Sequence, residues 1–223
     1  AIIIGYKWTE KGGLVTWRND SPEATSFRPD GKGGYYVVEQ TTRRLVRWNK
    51  DAQVKEVLAD NFEGHKLNRP NDARVKSDGT IWFTDPPYLF EQRTNEVKEL
   101  EGDYVFKYDL NSKKLSIAIK ELKYPNGIAF SPDEKYLYIG ASGTLYRWDV
   151  NQRGELSNKK TLVKKIRGLD GLTFDPQGRL WACTLKSIMI FDLAGKKIGE
   201  IKTPSKPTSI DFSREAKLVC ITM

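Results

Sequence analysis

Five short segments of the sequence begin with small or polar residues at matching places: Thr25-Ser26, Asn71-Asp72, Asn126-Gly127, Asp170-Gly171 and Thr208-Ser209. Three of them carry amide or carboxylate oxygens, at Asn71, Asn126 and Asp170. Such oxygens suit a hard divalent cation, calcium above all, in a flexible cage. A lone Asn-Gly or Asp-Gly pair reads as a turn. Three oxygen donors at matching repeat positions read as a metal site. Other chemistries are poorly supplied. His65 is the single histidine, so a Ser-His-Asp or Cys-His arrangement would have to use it, and no G-x-S-x-G elbow offers the serine. His65 reads as a loop residue. Cys183 and Cys220 match neither a disulfide framework nor a zinc spacing, and each lies in an apolar strand-like run, where a buried free thiol is expected. For an enzyme, a metal-assisted carboxylate mechanism fits these residues best.

Strands must position these groups, because the sequence offers little else. Tyr35-Tyr36-Val37-Val38, Leu45-Val46-Arg47-Trp48, Ile81-Trp82-Phe83, Tyr104-Val105-Phe106, Leu137-Tyr138-Ile139 and Leu145-Tyr146-Arg147-Trp148 are short, aromatic and β-branched. Turn signals separate them: Pro29-Asp30-Gly31, Ser77-Asp78-Gly79, Pro132-Asp133-Glu134 and Pro176-Gln177-Gly178. The same four-part pattern (polar pair, apolar strand, turn, apolar strand) returns in ATSFRPDGKGGYYVVEQ, NDARVKSDGTIWFTDPP, NGIAFSPDEKYLYIGAS, DGLTFDPQGRLWACTLK and TSIDFSREAKLVCIT. Successive turns lie roughly 40 to 55 residues apart, the size of a four-stranded propeller blade. An all-β, six-bladed β-propeller is therefore expected, as a single domain over 1–223. Its first blade is incomplete in this chain, represented by the outer part AIIIGYKWTEKGGLVTWRND. The C-terminal strand Leu218-Val219-Cys220-Ile221 is expected to pair near the N-terminus and so cover a sheet edge.

The 223 residues, 39% hydrophobic and 30% charged, suit one soluble globular domain with a sizeable core. The net charge of +8 permits anionic partners, but the densest basic run, Lys159-Lys160 with Lys164-Lys165 and Arg167, has no interleaved aromatics and reads as a solvated strand face. No nucleic acid partner is expected. No apolar run reaches the roughly 20 residues of a membrane span, and Ala1-Ile2-Ile3-Ile4-Gly5 lacks the basic leader and length of a signal peptide. The initial Ala fits a processed or incomplete start. Cytoplasmic, periplasmic and secreted locations all stay open, as does a monomer against a weak homo-oligomer.

LADNFEGHKLNRPNDARVKSDGTIWFTDPPY closely resembles the gluconolactonase branch of the family that includes senescence marker protein and luciferin-regenerating enzyme. YPNGIAFSPDEKYLYIGAS and GLDGLTFDPQGRLWACTLKSIMIFDLAGKKIGEIKTP resemble the next two blades of that family, in order, and the likeness runs from about Ser26 to the C-terminus. The resemblance implies a six-bladed propeller with a divalent ion, usually calcium, at the channel mouth; zinc, magnesium and manganese are alternatives. It implies hydrolysis of sugar lactones to aldonic acids, with a small-molecule lactone as the partner. By matching position, Asn126 in PNG and Asp170 in LDG correspond to metal ligands. Asn71 corresponds to the asparagine facing metal and substrate, and Arg69 to a position that can touch substrate. Asp170 also corresponds to the family's favoured general base.

One departure stands out. The family's first blade carries a glutamate, in a segment reading roughly E-G-P-x-W, that completes the metal site. Neither Glu10 in TEKGG nor Glu39 in VVEQT occupies that context. The ligand either lies upstream of Ala1 or is lacking. Ser26 likewise replaces an asparagine common in the second blade. Two other readings share the same face: a non-catalytic propeller that binds a protein or small ligand, and a phosphotriesterase-like hydrolase differing in pocket lining, to which Tyr88, Leu89 and Phe90 could contribute.

Overall fold

The computed structural model of the chain describes residues 5–93, 95–213 and 218–223. β1 (Gly5–Thr9) and β2 (Gly13–Arg18) form a two-stranded sheet. Four antiparallel four-stranded meanders follow. The first contains β3 (Ala24–Pro29), β4 (Tyr35–Glu39), β5 (Arg44–Trp48) and β6 (Val54–Ala59). A small hairpin, β7 (Asn61–Phe62) and β8 (His65–Lys66), precedes the second, made of β9 (Ala73–Val75), β10 (Thr80–Asp85), β11 (Tyr104–Asp109) and β12 (Lys114–Ile119). The third has β13 (Pro125–Phe130), β14 (Tyr136–Ala141), β15 (Thr144–Val150) and β16 (Leu156–Val163). The fourth has β17 (Leu172–Phe174), β18 (Leu180–Cys183), β19 (Ser187–Phe191) and β20 (Lys197–Lys202). β21 (Ser209–Phe212) and β22 (Val219–Thr222) close the chain as a pair. The one helix among the described residues is α1 (Phe90–Arg93).

The strand period of two explains why the central strands are apolar on both faces. Ile81 and Phe83 of β10 pack with Val38 and Leu45 of the preceding meander, whereas Trp82 between them packs with Ile128, Leu137 and Trp148 of the following one. In β14, Leu137 and Ile139 face back, and Tyr138 faces forward onto Leu172 and Leu180. In β18, Leu180 and Ala182 face back, and Trp181 and Cys183 reach Ile210. Each sheet is thus a slice between two cores. Burying one such large side chain stabilises by about 2 kcal/mol, and cores of this kind join neighbouring blades in series. Ala73, Phe83 and Phe106 stand in register across β9, β10 and β11, the two phenyl rings stacked 5.4 Å apart.

The turns repeat a single device, an aspartate whose side chain caps its own loop. Asp30 accepts from the N–H groups of Lys32 and Gly34 at 2.7 and 2.8 Å, Asp78 from Thr80 at 3.0 Å, Asp133 from Lys135 at 3.2 Å, and Asp175 from Gln177 and Arg179 at 3.0 and 2.8 Å. These are the repeat's own turns, so the all-β propeller expected from the sequence is the architecture seen.

β22 pairs with β21 and with neither β1 nor β2, and the rest of the N-terminus near which it is expected to pair, residues 1–4, lies outside the described residues. Cys220 on that strand is exposed, whereas Cys183 is buried in the core as expected. β2 instead covers the outer side of the first meander, where Trp17 meets Phe27, Tyr35 and Trp48 with ring centroids 5.5 to 6.0 Å apart. No helix among the described residues is long and apolar enough to cross a membrane.

Candidate active site

The innermost strands β3, β9, β13, β17 and β21 neighbour one another in that order. Their first residues therefore converge, although up to about 180 residues apart in sequence. The convergence needs glycine at two of them. A Cβ on Gly127 would stand 2.2 Å from the Asp170 carbonyl oxygen, and one on Gly171 would stand 2.8 Å from that of Thr208. No Cβ fits at such distances, so the Asn-Gly and Asp-Gly pairs serve close strand approach.

Between these ends lies a cavity of about 740 Å³ lined by residues that include Asn71, Tyr88, Asn126, Asp170 and Lys206. It brings together Asn71, Asn126 and Asp170 as the sequence pattern requires. Thr84 Oγ1 donates to the Asn126 carbonyl at 2.9 Å, and the Asn71 N–H donates to the Thr84 carbonyl at 2.8 Å, so β10 holds both asparagines. Asp170 is fixed through its own N–H on Cys183. Burial pushes the Asp170 carboxyl above the usual carboxylate range, while the Lys206 ammonium and a hydrogen bond from Asn126 oppose that shift. Lys206 Nζ lies 2.8 Å from Asp170 Oδ2. Asn126 Oδ1 is buried and has no hydrogen-bond partner among the described residues.

A buried carbonyl oxygen without a partner is chemically suited to accept a cation. The converging donors are all oxygens, which fits calcium or magnesium rather than zinc. Among the described residues no group of three or more His, Cys, Asp or Glu side chains is placed to hold a metal. Asp170 is the one acidic donor of the predicted set.

Arg69, which the resemblance implies can touch substrate, is held by side chains and backbone of the protein. It is 1% exposed and absent from the cavity lining. Its guanidinium contacts Glu23, and donates to Gln40 Oε1 at 3.1 Å and to the Leu89 carbonyl at 3.3 Å. It thereby holds Gln40 and Leu89, two lining residues of the cavity. His65 is exposed on the β7–β8 hairpin, outside the lining. Glu39 is fully buried and serves the fold, accepting from the Trp48 indole at 2.8 Å and from Arg44 at 2.6 Å. Glu10 is exposed in the turn between β1 and β2.

Sequence reasoning missed three participants. Asp72 is a hub that accepts from Ser26 Oγ at 2.9 Å, Arg74 at 3.0 Å, Arg28 at 3.2 Å and the Ile128 N–H at 3.1 Å. Arg28 also reaches Asp211 Oδ2 at 2.7 Å and so ties β3 to β21. The third is Lys206. Tyr88, named as a possible lining residue, does line the cavity; it stacks on Tyr124 and donates to the Tyr124 carbonyl at 2.9 Å. Burial raises its phenol well above the ordinary value, so it stays a neutral donor.

A propeller with an oxygen-lined cavity at the mouth of its inner strands is the class of protein this geometry defines. The profile of the family described as SMP-30/Gluconolactonase/LRE-like region matches residues 5–223, and the chain belongs to that family. It is 30% identical over 232 residues to a gluconolactonase of Zymomonas mobilis, a match covering 91% of this chain and 65% of that protein. It is 27% identical over 225 residues to a 6-deoxy-6-sulfogluconolactonase of Pseudomonas putida, covering 96% and 74%. Among solved structures, a gluconolactonase from Xanthomonas campestris superposes with a TM-score of 0.89 at 28% identity, covering 97% of this chain and 74% of that one. The chain thus spans about two thirds of the length of the Zymomonas relative.

Proposed function

We propose that this cavity hydrolyses sugar lactones of the gluconolactone type to aldonic acids, with Asp170 as general base and a divalent cation, most readily calcium, held by Asn71, Asn126 and Asp170. The observation that carries the reading is Asn126 Oδ1, without a partner among the described residues, in one cavity with the half-buried Asp170 carboxylate and with room for a monosaccharide-sized ring. Bound there, such a cation would supply Lewis acidity toward the lactone carbonyl oxygen. The protein's own groups do the rest. Asp170, its basicity raised by burial, takes a proton from the attacking water as the water oxygen bonds to the carbonyl carbon. The ring C–O bond then breaks, and the proton passes from Asp170 to the departing alkoxide oxygen. Asn71 orients the substrate, and Tyr88 and Leu89 form an apolar flank that limits water. Arg69 acts indirectly, by fixing Leu89. The ring is read as six-bladed, with the β1–β2 pair as the outer half of its first blade; their two-stranded sheet supports this.

The names of the relatives and the structural likeness to a gluconolactonase support the lactone class. A non-catalytic binding role is the second reading, favoured by the Lys206 ion pair that already occupies Asp170. Proton release from glucono-δ-lactone, corrected for spontaneous hydrolysis, separates the two. Turnover that stops with excess chelator and returns with calcium is the expected result; rates no faster than buffer under every cation tried would favour the binding module.

A further inference from the structure

Every acidic side chain lining the cavity already has a cation from the protein. Asp72 has Arg28 and Arg74, Asp211 has Arg28, and Asp170 has Lys206. The arginines are built into the inner strands, with side chains about 15% exposed. Lys206 differs: its side chain is 45% exposed, against 17% for Asp170. It lies on the segment between β20 and β21, and its backbone is anchored on its C-terminal side. Pro207 is buried, and the Thr208 carbonyl accepts from Gly171, the neighbour of Asp170, at 3.0 Å. The lysine is therefore aimed at Asp170 from a fixed base, while its long side chain keeps an open route to solvent.

We propose that Lys206 is a resident counter-cation that a divalent ion must displace from Asp170, so that this ammonium sets the cation affinity of the site. The proposal rests on the metal reading given above. A divalent ion and an ammonium sharing one half-buried carboxylate repel each other strongly at a few ångströms. The ion also gains little from Asp170 while Lys206 neutralises it. With the ammonium swung out, Asp170 Oδ2 is released beside Asn126. The cavity thus exchanges an internal cation for an external one, and occupancy follows the calcium supply.

Calcium binding to the intact chain, by calorimetry and by terbium luminescence with calcium competition at one pH, tests this on wild type, Lys206→Met, Lys206→Arg and Asp170→Asn. Lys206→Met is expected to bind calcium about tenfold tighter or more, Lys206→Arg to stay near wild type, and Asp170→Asn to lose binding. Thermal unfolding gives a second readout. Without calcium, Lys206→Met should melt below wild type, because Asp170 is left unpaired, and its melting temperature should rise further on adding calcium. Binding by Lys206→Met alone would support the proposal in its strongest form. Binding by wild type that is unchanged or weaker in Lys206→Met overturns it and leaves the metal site standing. Absence of binding in both removes the metal site and the proposal with it.

Discussion

Asp85 fastens the tip that carries Arg69 and Asn71. Its Oδ2 accepts from the Asn68 N–H at 2.8 Å, while the buried Oδ1 finds no partner among the described residues. Burial pushes its carboxyl up to about 7, against the smaller opposing pulls of the Asn68 and Arg69 N–H groups and of Arg43, and Asp103 adds to the rise. The folded chain consequently holds a proton that the unfolded chain releases between its ordinary value of 3.8 and about 7. Stability contributed by this group is full below that window, falls as pH rises through it, and is flat above. The span corresponds to about 4 kcal/mol at most. Asp85→Asn keeps an acceptor for Asn68 and cannot titrate. Urea unfolding of both proteins from pH 4.5 to 8 should show the variant gaining on wild type with rising pH; a constant difference would mean that Asp85 does not titrate there.

At the scale of strands and turns, Gly127 gives the sharpest test. Its Cβ would meet the Asp170 carbonyl, a backbone atom that cannot step aside. Gly127→Ala should cost about 2 kcal/mol or more and reduce turnover, because the strand carrying Asp170 moves. Gly178, at φ 75° in the β17–β18 turn with open space around it, supplies the comparison. Gly178→Ala should cost about 1 kcal/mol and leave turnover intact. Equal turnover in both variants would mean that the close approach does not position the base. These elements were legible in the sequence because their signals are local. A capping aspartate, a strand of period two and an Asn-Gly pair each fit within a few residues. Lys206 was not legible, since its flanks Pro204, Ser205 and Pro207 read as plain loop and its partner lies 36 residues away. The burial of Arg69 was hidden for the same reason: Glu23 and Gln40, its partners, belong to another blade. The exposure of Cys220 depends on what lies beside β22, which no local pattern records.

Over the whole molecule, polar bridges across the channel join what the apolar cores join between sheets. Arg28 links β3 to β9 and β21, and Arg74 of β9 contacts the Leu172 carbonyl of β17. Inner strands so tied bring Asn71, Asn126 and Asp170 from three blades to one cavity, and fixed donors of that kind are what electrostatic stabilisation asks for. The repeat therefore positions chemistry that no single blade contains. The measurement that bears on this most directly is the calcium-supported rate of proton release from glucono-δ-lactone by wild type and by Asp170→Asn, each first shown to be folded by its unfolding transition. A loss of about a hundredfold or more in the variant is the expected result. A folded Asp170→Asn chain that turns over at the wild-type rate would contradict a catalytic centre built on Asp170.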